Sequence, residues 1–193
     1  MGDGGGARQG IHEGLKTPLI AITGTPGTGK TSVSEELRKR GYEVLDVNKH
    51  LREHNLLGER DPARDTYNVD IDALNASLEP YRRKDGIVFM DSHLGHMCDC
   101  SRIIVLRCDP EVLAERLRKR GYSDAKVLEN VQAEVLDVIL CESTASDIPV
   151  NEIDCTRGTP AEAADIIERI LKSDAEIYTP GCVDWSGEME EWF

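Results

Sequence analysis

"GTPGTGKT", Gly24 to Thr31, follows the apolar run "PLIAIT" (18–23) and leads into the helical pattern "KTSVSEELRKRG" (30–41). It fits the spacing G-x-x-x-x-G-K-[ST]. Glycines at 24, 27 and 29 allow a tight turn whose N–H groups aim inward at phosphate oxygens. Lys30 at this spacing can reach β- and γ-phosphates, and the Thr31 hydroxyl can ligate Mg²⁺. The helix that opens at Lys30 turns its positive dipole end toward the same anion. A strand just before and a helix just after supply the context that the pattern requires. The stretch therefore reads as a cradle for a nucleoside triphosphate.

Working outward, short apolar runs alternate with helical patterns, the mark of βαβ units and a parallel sheet. Strands are predicted at 18–23, 42–47, 86–91, 102–108 and 148–154. Val33 and Leu37 face inward on the first helix, and Gly41 stops it. Further helices are expected at 69–86, with Pro80 bending or ending it, and at 109–121, with Asp109 as cap and Pro110 at the first turn. One long helix (124–143) and a last one (159–173) complete the pattern. The expected fold is a three-layer α/β P-loop domain with a five-stranded parallel sheet, and there is no internal repeat.

At 193 residues the chain suits one domain, expected at 17–173, between a Gly-rich lead-in (1–16) and an acidic, aromatic tail (174–193). The tail would pack its two Trp on the domain or dock an amphipathic partner. The lead-in lacks an apolar h-region and no apolar run could span a bilayer, so neither secretion nor a membrane role is expected. A net charge of −13 disfavours a broad grip on nucleic acid, and no sequence-specific binding is expected. Six cysteines form no C-x-x-C pair, and Cys108 and Cys155 read as core residues in a reducing cytoplasm.

A phosphate loop needs a second acid to orient the Mg²⁺ shell, and Asp91 ends the apolar strand in "VFMDSHLGH" (88–96). A plain strand-end cap is the alternative. His93 stands where it could orient a water or an acceptor. His93, His96, Cys98 and Cys100 lie too close together for one ordinary zinc tetrahedron, so zinc is not expected. In "ERLRKRGY" (115–122), Arg116 and Arg120 share a helical face at i, i+4, where they could neutralise charge on a phosphoryl group in flight or only line a solvated face. The long insertion (46–85) carries Arg52, Arg60 and Arg64 and could hold a second phosphate-bearing nucleotide.

"GTPGTGKT", "DSH" and "ERLRKRGY", with "LDVNKHLRE" (45–53) and "ENVQAEV" (129–135), resemble the small adenylate kinase isoenzyme 6 type, the coilin-interacting nuclear ATPases and their archaeal counterparts. The resemblance covers 18 to about 173. It implies a short lid (119–126), an acceptor part (46–69), and an ATP site lined by Gly27, Gly29, Lys30, Thr31, Ser32 and Arg120. It also implies Arg52 as the contact to AMP, ATPase activity, and help in maturing the small ribosomal subunit through a platform ribosomal protein or the pre-ribosome. "VNKH" (47–50) departs from the Gly-Asp pair more common there.

Two function classes follow. In the first, an enzyme moves the ATP γ-phosphoryl group to AMP with Lys30, Thr31, Asp91, Arg116 and Arg120 as its working groups. In the second, ATP hydrolysis drives an assembly factor whose acidic surface mimics RNA toward a basic partner. A kinase for another small acceptor is a third reading.

Overall fold

The computed structural model describes residues 19–61 and 66–193. The lead-in and Arg64 lie outside the described residues. Among these, one five-stranded parallel sheet forms the centre, built from β1 (Leu19–Thr23), β2 (Glu43–Asp46), β5 (Val88–Asp91), β6 (Arg102–Arg107) and β7 (Val150–Asp154) in the order β2-β5-β1-β6-β7. The first strand is thus central, with later strands added on both sides. Its carboxyl end is the switch point where open α/β sheets bind ligands. Gly24 to Thr31 leaves β1 at that point.

Helices cover both faces, which explains why the strands read as unbroken apolar runs rather than alternating ones. Ile20, Ile22, Phe89, Ile104 and Leu106 pack under α1 (Lys30–Lys39) and α8 (Pro160–Arg169). Leu19, Ala21, Met90 and Val105 turn to the other face, against Val47 and Leu51 of α2 (Val47–Glu53), Leu74 of α3 (Ile71–Ser77) and Leu140 of α7 (Val138–Thr144). A third apolar cluster joins α5 (Pro110–Lys119) to α6 (Asp124–Val135) through Leu113, Leu117, Val127 and Val131. Each such fully buried aliphatic side chain contributes about 1.5–3 kcal/mol.

Local signals account for most helix ends. The Asp109 carboxylate accepts from the Glu111 and Val112 amides ahead of Pro110, and Thr159 with Glu162 forms a capping box at α8. The helix expected over 69–86 breaks at Leu78, with Pro80 opening the short α4 (Glu79–Arg82).

One element is added that no expectation covered, and two expectations are corrected. The polar part of the insertion holds an antiparallel hairpin, β3 (Leu57–Asp61) with β4 (Thr66–Val69), which its charged sequence hides. The long helix expected over 124–143 is two helices. Asp137 between them adopts a left-handed φ of 54°, and its carboxylate meets the buried guanidinium of Arg107. The last helix gives way to a wide π turn at Ile170–Asp174. The tail folds back over the domain: Trp192 lies half-buried against the apolar cluster between α5 and α6, and its carbonyl accepts from Gln132 Nε2 at 2.7 Å.

Candidate active site

The loop after β1 needs glycine for steric reasons. At Gly24, φ is +134°, and an added Cβ would stand 2.3 Å from the Leu106 carbonyl oxygen. At Gly27, φ is +101°, and a Cβ would meet Leu113 Cδ1 at 2.7 Å. Gly24→Ala is expected to cost roughly 3 kcal/mol or more, a fall on the order of 10 °C in Tm by calorimetry, since strained backbone and a backbone clash add. An unchanged Tm would refute that packing.

Below the loop, α1 starts with no side-chain cap at Gly29 and no acid in its first turn, so its leading amides stay available to an anion. Lys30 Nζ folds back and donates to the carbonyls of Gly24 at 2.7 Å and Thr25 at 3.0 Å. Burial pulls its pKa down to about 8, against the pull of Asp91 and Glu134.

Asp91 ends β5 beside Asp46 of β2, its register partner. Burial raises its pKa, and the Lys30 ammonium opposes the rise. The following turn is fixed by Ser92, whose amide donates to the Ile22 carbonyl at 3.2 Å, and by the Thr23 hydroxyl, which donates to the His93 carbonyl at 3.3 Å. The His93 ring is left exposed on the cleft wall. Loss of hydration, then the nearby Lys30 charge, lowers its pKa, so the imidazole is neutral at pH 7. His96 instead is buried, paired with Glu142 Oε2 at 2.9 Å. The Cys98 thiol contacts the Leu94 carbonyl and the Cys100 thiol the Arg102 carbonyl, and burial pushes them to about 12 and about 11. Among the described residues no three His, Cys, Asp or Glu side chains gather as metal ligands.

The cleft has two lobes that share Gly27, Gly29 and Arg120. The larger, about 520 Å³, brings Lys30, Thr31, Asp91, His93, Arg120 and Lys126 to one space. The smaller, about 270 Å³, is walled by Ser32, Val33, Thr159, Ala163 and Ile166. Arg116 does not reach the larger lobe. Its guanidinium is tied to the carbonyls of Cys155 at 3.0 Å and Thr156 at 2.9 Å, on the wall of the smaller one. Arg52 is exposed on α2 and lines neither lobe, whereas Asn48 of the same helix faces the larger. Arg60 sits in the hairpin.

A family model described as an AAA domain matches residues 20–137. A Methanocaldococcus jannaschii protein named "Putative adenylate kinase" is 43% identical over 168 residues, covering 86% of this chain and 92% of that protein. A relative of the same name from Archaeoglobus fulgidus is 42% identical, covering 90% and 94%. The chain belongs to this adenylate kinase-like family. Shikimate kinase from Bacteroides thetaiotaomicron superposes with a TM-score of 0.56 at 17% identity, over 80% of this chain and 98% of that one. Deoxyadenosine kinase from M. mycoides gives 0.52 at 17%, over 80% and 98%. These likenesses establish the three-layer P-loop fold.

In this adenylate kinase-like chain, sequence reasoning missed the face of α6. Lys126, Glu129, Asn130 and Ala133 follow at i, i+3, i+4 and i+7 and all line the larger lobe. The spacing was visible in "ENVQAEV", but nothing local told which wall it builds. Between α5 and α6 the chain turns through Arg120-Gly121-Tyr122, with Gly121 at φ +79°. Among the described residues no helix is long and apolar enough to cross a membrane.

Proposed function

We propose that the protein transfers the ATP γ-phosphoryl group to AMP, giving two ADP. The observation that carries this reading is the larger lobe, where Lys30 and Thr31, the acid Asp91, and the lid cations Arg120 and Lys126 face one space. ATP would place its base in the smaller lobe beside Ser32 and its phosphates on Gly27, Gly29 and Lys30. AMP would enter from the side of Asn48, within the acceptor part (46–69), with Arg52 of that part reaching it only at its edge. The lid (119–126) would close between them.

The Thr31 hydroxyl and the Asp91 carboxylate are hard oxygen donors in one cavity, and burial raises the pKa of Asp91 despite the Lys30 ammonium nearby. They fit Mg²⁺, which would neutralise charge between the β- and γ-phosphates when bound. The chain's own work is positional. Lys30 and the loop amides hold the phosphates, Arg120 and Lys126 offset charge that develops on the moving group, and the closed turn excludes water.

ATP hydrolysis is the second activity we infer, because a neutral His93 on the same wall can accept a hydrogen bond from water. His93→Ala is expected to slow phosphate release about 100-fold while ATP affinity stays within about threefold. Equal losses in both would leave His93 a structural residue. The isoenzyme 6 resemblance and the acidic balance of the chain, −13, support an assembly role toward a basic platform ribosomal protein. The deciding experiment crosses ATP with each nucleoside monophosphate, with and without that protein, and follows ADP and free phosphate. ADP formation confined to AMP supports the kinase reading. Phosphate release indifferent to every acceptor sinks it and leaves the ATPase.

A further inference from the structure

"ENVQAEV" (129–135) contributes more than a cavity wall. While Glu129, Asn130 and Ala133 face the larger lobe, Glu134 turns inward and is 3% exposed. Its Oε1 accepts from Arg107 Nε at 2.8 Å and from the Cys108 amide at 3.1 Å. Its Oε2 accepts from the Thr25 hydroxyl at 2.5 Å. Arg107 is closed on its far side by Glu152 at 2.9 Å and by Asp137. A buried carboxylate beneath a phosphate cradle repels the ligand, so its presence there asks for a compensating role.

Thr25 supplies that role. Its carbonyl receives Lys30 Nζ at 3.0 Å, the Thr28 amide at 3.3 Å and the Thr28 hydroxyl at 3.0 Å. Whatever fixes the Thr25 side chain therefore fixes the turn 25–28 and the resting place of Lys30. Glu134 does so from the helix that begins just after the lid turn. We propose that Glu134 is a positioning residue, which acts through Thr25 to hold the phosphate loop in shape and to tie it to the lid helix.

The proposal rests on the nucleotide reading above. Thr25→Val removes one donated hydrogen bond at nearly constant volume, and Thr25→Ser keeps it. By calorimetric titration, Thr25→Val is expected to weaken ATP binding about tenfold or more, and Thr25→Ser less than about threefold. On a Glu134→Gln background Thr25→Val adds less than about threefold, because the first change has already removed the charge-assisted part of the bond that the second breaks. Glu152→Gln, on the far side of Arg107, lowers Tm but leaves ATP affinity within about twofold. Unchanged ATP affinity in Thr25→Val overturns the proposal. So does a Glu152→Gln loss as large as that of Glu134→Gln, which would make the network merely structural. A wild-type protein that binds no ATP sinks the nucleotide reading itself.

Discussion

Lys30→Met is expected to lower ADP formation by about three orders of magnitude, with a Tm equal to or above that of the wild type. The reason lies in the resting state. Burial pulls the Lys30 pKa from 10.5 to about 8, which sets roughly 3 kcal/mol against the charged form. Two carbonyl contacts, to Gly24 and Thr25, hold the ammonium without neutralising it. A triphosphate would supply a full anionic partner, and the unfavourable burial of the ammonium would turn into affinity for the ligand. Methionine has no charge to desolvate and keeps the apolar stem, so folding gains what the site loses. The sign of the pH effect follows. Lys30 is charged below about 8, so wild-type ATP affinity should weaken as pH rises through that value, while the Met variant stays flat. Titrations at pH 7 and pH 9 on both proteins check it. A Tm lowered by several degrees in Lys30→Met, or parallel pH curves, would show that the lysine serves the fold.

How much of this was legible beforehand depended on how local the cause was. The loop 24–31, the Asp109–Pro110 start of α5, Gly41 and the apolar strands are written in neighbouring residues, and the three-layer sheet followed from them. Arg107 was not legible. It stands near the end of the apolar run "RIIVLRC", and only the fold brings Glu134 of α6, Asp137 at the start of α7 and Glu152 of β7 around it. Asp137, one of these partners, adopts a left-handed φ at the point where a helix pattern that reads as continuous is broken. The pairing of β3 with β4 was hidden for a related reason: residues 58–60 and 67–68 are exposed and mostly polar, so no period of two stands out. Asn48, Lys126 and Asn130 were passed over because long polar side chains on a helix look like a solvated face until the facing wall is known.

Arg116 and Arg120 make that limit testable. Helical spacing puts Arg116 and Arg120 on one face, and sequence reasoning gave them one role. The fold separates them. Arg116 lies inside α5, with a guanidinium engaged by Cys155, Thr156 and Cys108, while Arg120 is the exposed C-cap at the junction of both lobes. Arg120→Ala should therefore cut kcat about 1000-fold, as loss of a cation that meets a moving phosphoryl group does, with Tm almost unchanged because an exposed cap is removed. Arg116→Ala should do the reverse. It strands two carbonyls, costs about 1–3 kcal/mol and lowers Tm by several degrees, yet leaves kcat within about fivefold. Arg120→Lys should recover part of the rate, since charge returns without the planar fork. Steady-state kinetics with ATP and AMP, beside thermal melts of the same preparations, separate the cases. If Arg116→Ala loses rate as steeply as Arg120→Ala at equal Tm, both arginines act on the phosphates and the larger lobe must close further than its resting form.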